Sequence, residues 1–390
     1  MIHEDELEIL KQSELIIFPF GQSGKPAVDT LLAHGFKIHS IWDNMKSGTY
    51  QGIPICRPAA GTEGGYPVIL CADKRLGEIL HQQADQLGYQ VYHGGELLRS
   101  MELTRREYAN NSVLINQRIE VSWQGDHADR FAMHILEIPI TERCSLKCRD
   151  CSNLMQYYSK PRDADVEKTL ADADQIIQAV DHIDEVRLLG GEPFVSKQLY
   201  QYVEHFIKQE KVEFIYLYTN ATILPKGENL DCLKHHNVFV YISNYGEISK
   251  KLTEIEHLFQ QEGILYHVSD VTQWTACSSF IQHHRTPQEL EDLFGSCCTS
   301  ECSVLKNGRL YGCPFLAQAS TLYAIPKEAN EFLQLSDYQT TDALRQALKD
   351  FLNKSYFSGC DFCAGRPYGV FNIPAAQQTK EVLPYKKYMY

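Results

Sequence analysis

A chain of 390 residues, 44% of them hydrophobic, is long enough for two or three domains with sizeable cores. Its formal net charge of −13 argues against nucleic acid or an anionic membrane surface as the main partner, because both attract basic proteins, although a local basic pocket for a small anion stays open. The acidic start, Met-Ile-His-Glu-Asp-Glu-Leu-Glu, lacks a signal-peptide pattern, no apolar run reaches the ~18 residues of a membrane span, and the 13 cysteines fall in triplet and pair spacings suited to metal in a reducing compartment; the expectation is a cytoplasmic protein.

Residues 1–105 alternate strand and helix. An apolar run over 15–20 predicts a strand, Gly21 and Gly24 a glycine turn into a helix that reaches residue 33, and runs over 37–42 and 67–71 two further strands, the first of these closed by Asp43. Such a βαβ junction presents backbone N–H groups and a helix N-terminus to a phosphate. The full G-x-G-x-x-G fingerprint is missing, so nicotinamide binding is not supported. Residues 41–58 resemble the small Rossmann-like amino-terminal domain of bacterial sugar O-acyltransferases, which contributes to nucleotide-sugar binding. The resemblance implies Gly21, Gly24 and Asp43 as substrate or nucleotide contacts; the alternative is a docking domain with an ordinary tight turn. Cys56 and Cys71, in apolar strands, read as buried small hydrophobes.

Residues 106–288 carry the strongest motifs. Strands are predicted over 134–140, 185–189, 213–219, 238–243 and 264–268, with helical patterns such as 170–180 and 197–208 between them. That alternation implies a parallel sheet, closed or partly closed as a barrel, whose chemistry gathers at the C-terminal strand ends. After the first strand come Cys144, Cys148 and Cys151, spaced C-x3-C-x2-C. Three thiolates hold three corners of a cubane iron–sulfur cluster and leave one iron open, whereas a structural zinc site wants four protein ligands. After the second strand, Gly190 and Gly191 let a ligand approach the backbone and Glu192 offers a carboxylate to an ammonium group.

These two motifs, in this order at the tops of successive strands, resemble the radical S-adenosylmethionine (radical SAM) superfamily. The resemblance implies a partial (β/α)6 TIM-type barrel, a SAM-binding 4Fe-4S cluster on the triplet, and SAM itself. It implies that Gly190, Gly191 and Glu192 meet the methionine amino group and that Thr219, Asn220 and Ser243 reach the ribose or carboxylate, with plain strand-end turn chemistry as the alternative for the last three. One departure is Asp150, where many members carry an aromatic residue. Cys277, after the fifth strand, is the candidate hydrogen-atom donor at the barrel mouth, set against the simpler reading of a buried incidental thiol; Cys232 reads as packing.

Residues 289–390 hold a second cysteine set. Cys302 and Cys313 flank a hairpin predicted to turn at Asn307-Gly308, and Cys360 and Cys363 form a C-x2-C pair. This pattern resembles the twitch or reduced SPASM extension of radical SAM enzymes, a β-hairpin and helix domain that holds one auxiliary 4Fe-4S cluster. Cys313, Cys360 and Cys363 are three expected ligands, and the fourth is left among Cys302, Cys297 and Cys298; Cys298 and Cys302 enter the candidate metal set on that basis. The alternative is a zinc ribbon.

The fold expectation is therefore α/β in three domains, 1–105, 106–288 and 289–390. The functional expectation is an enzyme that forms a 5'-deoxyadenosyl radical and oxidises or epimerises an activated, nucleotide-linked sugar, with a flavodoxin- or ferredoxin-type electron donor. A peptide-modifying enzyme and a non-catalytic metal scaffold of a glycan pathway are the alternatives.

Overall fold

Runs of buried residues, as in β-strands covered on both faces, make the strands of this α/β protein, and the chain divides into two units, Met1–Arg130 and Phe131–Tyr390. A computed structural model describes residues 2, 4–21, 23–59, 65–72, 74–116, 131–367 and 370–389.

In the first unit, six strands lie in the order β3-β4-β2-β1-β5-β6. They are β1 Glu14–Phe18, β2 Lys37–Trp42, β3 Gly48–Tyr50, β4 Ile53–Cys56, β5 Val68–Leu70 and β6 Val91–His93. All pair in parallel except β3 with β4, a hairpin that turns at Gln51-Gly52 with both φ angles positive. Leu15, Ile17, Ile41 and Ile69 bury one face with Val28 and Leu31 of the helix Gly24–Ala33, while Ile16, Phe18, Trp42 and Leu70 bury the other. Burial of both faces is what a doubly wound parallel sheet requires.

The boundary expected at residue 105 falls at the start of a helix, Arg105–Asn116, that belongs to this unit. Leu114 and Ile115 complete the first core, and Asn111 donates to Thr30 Oγ1 at 2.8 Å. Removing that helix would expose apolar surface on the helices Gly24–Ala33 and Gly94–Arg99, against which it packs.

The second unit has one eight-stranded sheet, ordered β11-β10-β9-β8-β7-β13-β14-β15. Five successive parallel strands, β7 Ala132–Thr141, β8 His182–Gly190, β9 Val212–Thr219, β10 Val238–Asn244 and β11 Leu265–Asp270, are joined through helices that include Val166–Ala179, Leu199–Phe206 and Leu252–Glu262. Strand parity sorts the two faces. Leu136, Ile138, Val186, Leu188, Leu217, Val240 and Ile242 pack on Ile176, Val203 and Phe259 of those helices. The residues between them, Glu137, Arg187, Tyr218 and Tyr241, project from the opposite face.

A sixth parallel strand comes from the region expected to be a separate domain. β13 Cys302–Lys306 pairs in parallel with β7, then turns through Asn307 (φ 54°) and Gly308 (φ 74°) into β14 Arg309–Tyr311 and on to β15 Leu333–Gln334. The turn is where the Asn-Gly pair predicts it. Val304, Leu305 and Leu310 share the barrel's core, and so residues 131–390 form one unit instead of dividing at 288. A buried lysine fixes the hairpin end: Lys306 Nζ lies 3.0 Å from Glu142 Oε1, just past β7, and 2.7 Å from Gln318 Oε1.

Candidate active site

The C-terminal ends of β7, β8 and β9 meet in a tight backbone junction. Gly191 N donates to Thr141 O and Glu192 N to Arg143 O, both at 2.9 Å. A Cβ on Gly190 would stand 2.0 Å from Thr141 O, and one on Gly191 would stand 2.3 Å from Arg143 O and 2.7 Å from Cys144 Cβ. Only glycine allows the cysteine loop to lie this close to the end of β8. Both glycines therefore set the approach of protein backbone.

Glu192 is wholly buried. Its Oε1 accepts from Thr219 Oγ1 at 2.9 Å and Phe194 N at 3.2 Å, and its Oε2 from Asn220 N at 2.8 Å. Burial raises the carboxyl to about 7, against the lowering effect of those donors. The side chain expected to meet an ammonium group thus ties the top of β8 to the top of β9. Asn220 passes the connection on: its Nδ2 lies 3.3 Å from Ser145 Oγ and 3.7 Å from Cys144 Sγ. Ser243 lies at the top of β10, where its carbonyl accepts from Ser249 Oγ.

Cys144, Cys148 and Cys151 are all free thiols. Burial pushes Cys144 up to about 12 and Cys148 up to about 11, and raises Cys151 as well. Bound metal is what converts such buried thiols to thiolates. Donors already point at the sulfurs, as an iron–sulfur loop needs: Leu146 N lies 3.4 Å from Cys144 Sγ, and Gln378 Nε2 lies 3.1 Å from Cys148 Sγ. Gln378 arrives from far along the chain. Its segment follows the short strand β16 Ile373–Pro374, which pairs with β12 Gln273–Trp274, and it accepts from Lys147 N through its own Oε1.

An aromatic residue does stand near the triplet despite Asp150. Tyr245, from the loop after β10, is close enough for all three thiols to raise its hydroxyl further beyond what burial does, and its ring meets Trp274 edge-on at 5.5 Å.

The second cysteine set separates into two groups. Cys297, Cys313, Cys360 and Cys363 line one small apolar cavity with Phe315 and Leu316. Of the three cysteines among which the sequence leaves the fourth ligand open, Cys297 lines it and Cys298 and Cys302 do not. β13 parity turns Cys302 to the concave face of the sheet, where Arg187 Nη1 lies 3.8 Å from its sulfur, while the backbone of Cys298 bonds to Arg366 O. Cys313 faces the cavity because it caps the helix Pro314–Thr321, its sulfur accepting from Leu316 N. Tetrahedral zinc with Zn–S near ~2.3 Å would need sulfurs about 3.8 Å apart. Among the described residues, the group with three ligand atoms within 4.8 Å of one another contains no cysteine.

Cys277 lines that same cavity and is 4% exposed, so it lies within the protein and not at an open barrel mouth. Arg366, half-buried, is raised beyond its ordinary range by the influence of Cys298, Cys277, Cys297 and Cys302, against burial, which would lower it.

The concave face carries residues that motif reading passed over. Glu137 pairs with Arg187 across β7 and β8, and Arg187 Nη2 lies 2.6 Å from Glu185 Oε2. The Arg187 guanidinium lies 5.6 Å from the Tyr218 ring centroid, Tyr218 is 5.2 Å from Tyr241, and Tyr241 is 5.1 Å from His267. Oε2 of Glu137 is buried without a hydrogen-bond donor. The signal was present in the sequence as charged and aromatic residues alternating with aliphatic ones in strands that parallel burial makes apolar on the other face.

In the first unit the candidate contacts are engaged locally. Asp43 is buried and its Oδ1 accepts from Met45 N and Lys46 N at 2.8 Å; a Cβ at Gly24 would lie 1.9 Å from Pro19 O; Gly21 has open space around it.

Residues 138–243, from the middle of β7 to the top of β10, match the radical SAM superfamily. This chain carries a radical SAM domain. It is 27% identical over 138 residues to a GTP 3',8-cyclase of Clostridium acetobutylicum, covering 31% of this chain and 42% of that one. It is 31% identical over 105 residues to a GTP 3',8-cyclase of Heliobacterium modesticaldum, covering 25% and 31%. The chain thus spans less than half the length of these curated relatives. Similar solved structures include BtrN in complex with AdoMet and 2-DOIA (TM-score 0.39, 14% identity, 64% of this chain and 98% of that one) and anSMEcpe with bound AdoMet (TM-score 0.31, 20% identity, 36% and 44%). Among the described residues, no helix is long and apolar enough to cross a membrane.

Proposed function

We propose that the chain is a radical SAM enzyme that oxidises or epimerises a carbohydrate, of the nucleotide-sugar type, bound over the concave face of the second unit. Cys144, Cys148 and Cys151 would hold the SAM-binding 4Fe-4S cluster, and Cys297, Cys313, Cys360 and Cys363 an auxiliary one. Bound there, cluster and SAM supply one-electron cleavage of SAM to methionine and a 5'-deoxyadenosyl radical that takes a hydrogen atom from carbon.

The observation that carries the substrate reading is the row Glu137–Arg187–Tyr218–Tyr241–His267. Aromatic faces suit the C–H faces of a sugar ring, and the donorless Oε2 of Glu137 suits a sugar hydroxyl. Arg187, held charged by Glu185 against the pull of burial, offers a fixed donor fork to a hydroxyl pair or a phosphate. Gly190, Gly191 and Glu192 would position the methionine end of SAM through backbone, with Thr219, Asn220 and Ser243 behind them. Gly21, Gly24 and Asp43 remain a proposed nucleotide or sugar contact of the first unit only through the acyltransferase resemblance. A small flavodoxin- or ferredoxin-type protein would supply electrons.

Oxidation and epimerisation part at Cys277. In an epimerase its S–H would return a hydrogen atom to the substrate radical; in a dehydrogenase the radical gives up a proton and an electron, the latter to the auxiliary cluster. Anaerobic incubation of the reconstituted protein with SAM, dithionite and a panel of nucleotide sugars, with GTP alongside, tests the reading. A sugar that raises 5'-deoxyadenosine formation and emerges either two hydrogens lighter or, from D2O, one deuterium-for-hydrogen exchange heavier at one carbon supports it. Stimulation by GTP alone, or by a peptide alone, refutes it. Cys277→Ala should abolish the second outcome and spare the first.

A further inference from the structure

The opposite end of the barrel carries a cluster that none of the cysteine chemistry uses. His134 near the start of β7, His182 and Asp184 at the start of β8, and Glu213 at the start of β9 come from adjacent parallel strands. His182 Nε2 lies 3.1 Å from Asp184 Oδ1 and 3.2 Å from Glu213 Oε2. One ligand atom from each of these three residues falls within 4.8 Å of the others.

Those separations are what a tetrahedral ion imposes: metal–nitrogen and metal–oxygen bonds of about 2.0–2.1 Å put neighbouring ligand atoms about 3.3 Å apart. A second observation points the same way. Asp184 is 1% exposed, and its Oδ1, 3.1 Å from His182 Nε2, the atom that would share the ion with it, is buried with no donor in hydrogen-bonding geometry. Its other oxygen is held at 2.7 Å by His134 Nδ1. That is the outer partner which orients a ligating carboxylate in metal sites. The side chains of His182 and Glu213 are 16% and 32% exposed, so an ion reaches the site from solvent.

We infer that His182, Asp184 and Glu213 form a binding site for zinc or a similar tetrahedral divalent cation, completed by water and oriented by His134, at the N-terminal end of the barrel. The donor set is one imidazole and two carboxylates, with no sulfur, which separates it chemically from both cysteine groups. Its place at the strand starts makes it structural, clamping β7, β8 and β9 together far from the strand ends where Cys144 and Gly191 meet.

The test uses the full chain with its clusters reconstituted, exposed anaerobically to Zn2+ and desalted. One zinc per chain is expected, with an X-ray absorption shell of nitrogen and oxygen near ~2.0 Å and no sulfur shell near ~2.3 Å. Glu213→Gln, at a partly exposed position, should fold and lose that zinc; His134→Ala should weaken retention ~10–100-fold; 5'-deoxyadenosine formation should persist in both. A sulfur shell, full zinc retention in Glu213→Gln, or no zinc retained by the unmodified chain would each overturn the assignment and leave the cluster as an ion-pair network.

Discussion

Glu192→Gln isolates one buried carboxylate without changing its shape. Three donors now converge on its two oxygens, Thr219 Oγ1 and Phe194 N on one and Asn220 N on the other. An amide has only one oxygen, so one buried backbone N–H must face an NH2 group, at about 1–3 kcal/mol. The native carboxyl carries an opposite cost. Burial raises it from 4.5 to about 7 in the folded protein, so the folded state binds this proton more tightly than the unfolded state does. The stability that follows is fully present below pH ~4.5 and is lost as pH rises through about 7, a change of about 3 kcal/mol at 1.36 kcal/mol per tenfold difference in proton affinity. The amide of the variant does not titrate, and every other group is common to both proteins. The deficit of the variant at pH 5 should therefore shrink by about 2–3 kcal/mol, or reverse, at pH 8. Urea unfolding of the cluster-free chains, followed by circular dichroism at both pH values, reads that difference directly. A gap that stays constant between pH 5 and pH 8 would refute the assignment of Glu192 as a buried acid with a raised pKa.

Gly191→Ala should push the cysteine loop away from β8, because its Cβ would lie 2.3 Å from Arg143 O; we expect a stability loss of about 1–3 kcal/mol and depletion of iron from the triplet, and full iron content in that variant would contradict the packing argument. Cys297→Ala should remove about four irons per chain, whereas Cys298→Ala and Cys302→Ala should keep them; iron analysis giving the reverse order would reinstate Cys302 as a ligand. Gln378→Ala removes a donor 3.1 Å from Cys148 Sγ, which stabilises the more negative reduced cluster, so a redox titration by electron paramagnetic resonance should show a potential lower by on the order of tens of millivolts. An unshifted potential would limit Gln378 to holding the loop.

What the sequence makes legible is what local pattern determines. The triplet and Gly190-Gly191-Glu192 are contiguous, and the chemistry of each is carried by spacing alone. Asn307-Gly308 fixes its own turn because both residues tolerate positive φ. The strands of the barrel show as apolar runs. By contrast, the direction of Cys302 depends on β13 pairing with β7, a partnership across more than 160 residues, and parity within that pair sends the thiol to Arg187 instead of the cavity. Gln378 is 230 positions from Cys148, and no local pattern marks a glutamine as a donor to sulfur. The helix Arg105–Asn116 is of low hydrophobicity, and its place in the first core rests on Leu114 and Ile115 and on packing against the helices Gly24–Ala33 and Gly94–Arg99, which its own sequence does not mark. Glu192 was recognised by position, but its orientation is set by the top of β9, which a motif cannot contain.

The central claim is that Cys144, Cys148 and Cys151 hold the cluster that cleaves SAM, with Cys297, Cys313, Cys360 and Cys363 holding a separate one. The most direct measurement compares the anaerobically reconstituted chain with its Cys144→Ala, Cys148→Ala, Cys151→Ala triple variant, for iron content and for 5'-deoxyadenosine formed from SAM and dithionite. The unmodified chain should bind about eight irons and form 5'-deoxyadenosine; the triple variant should keep about four irons and form none. Formation of 5'-deoxyadenosine by the triple variant, or its absence from the fully loaded unmodified chain, would contradict the account.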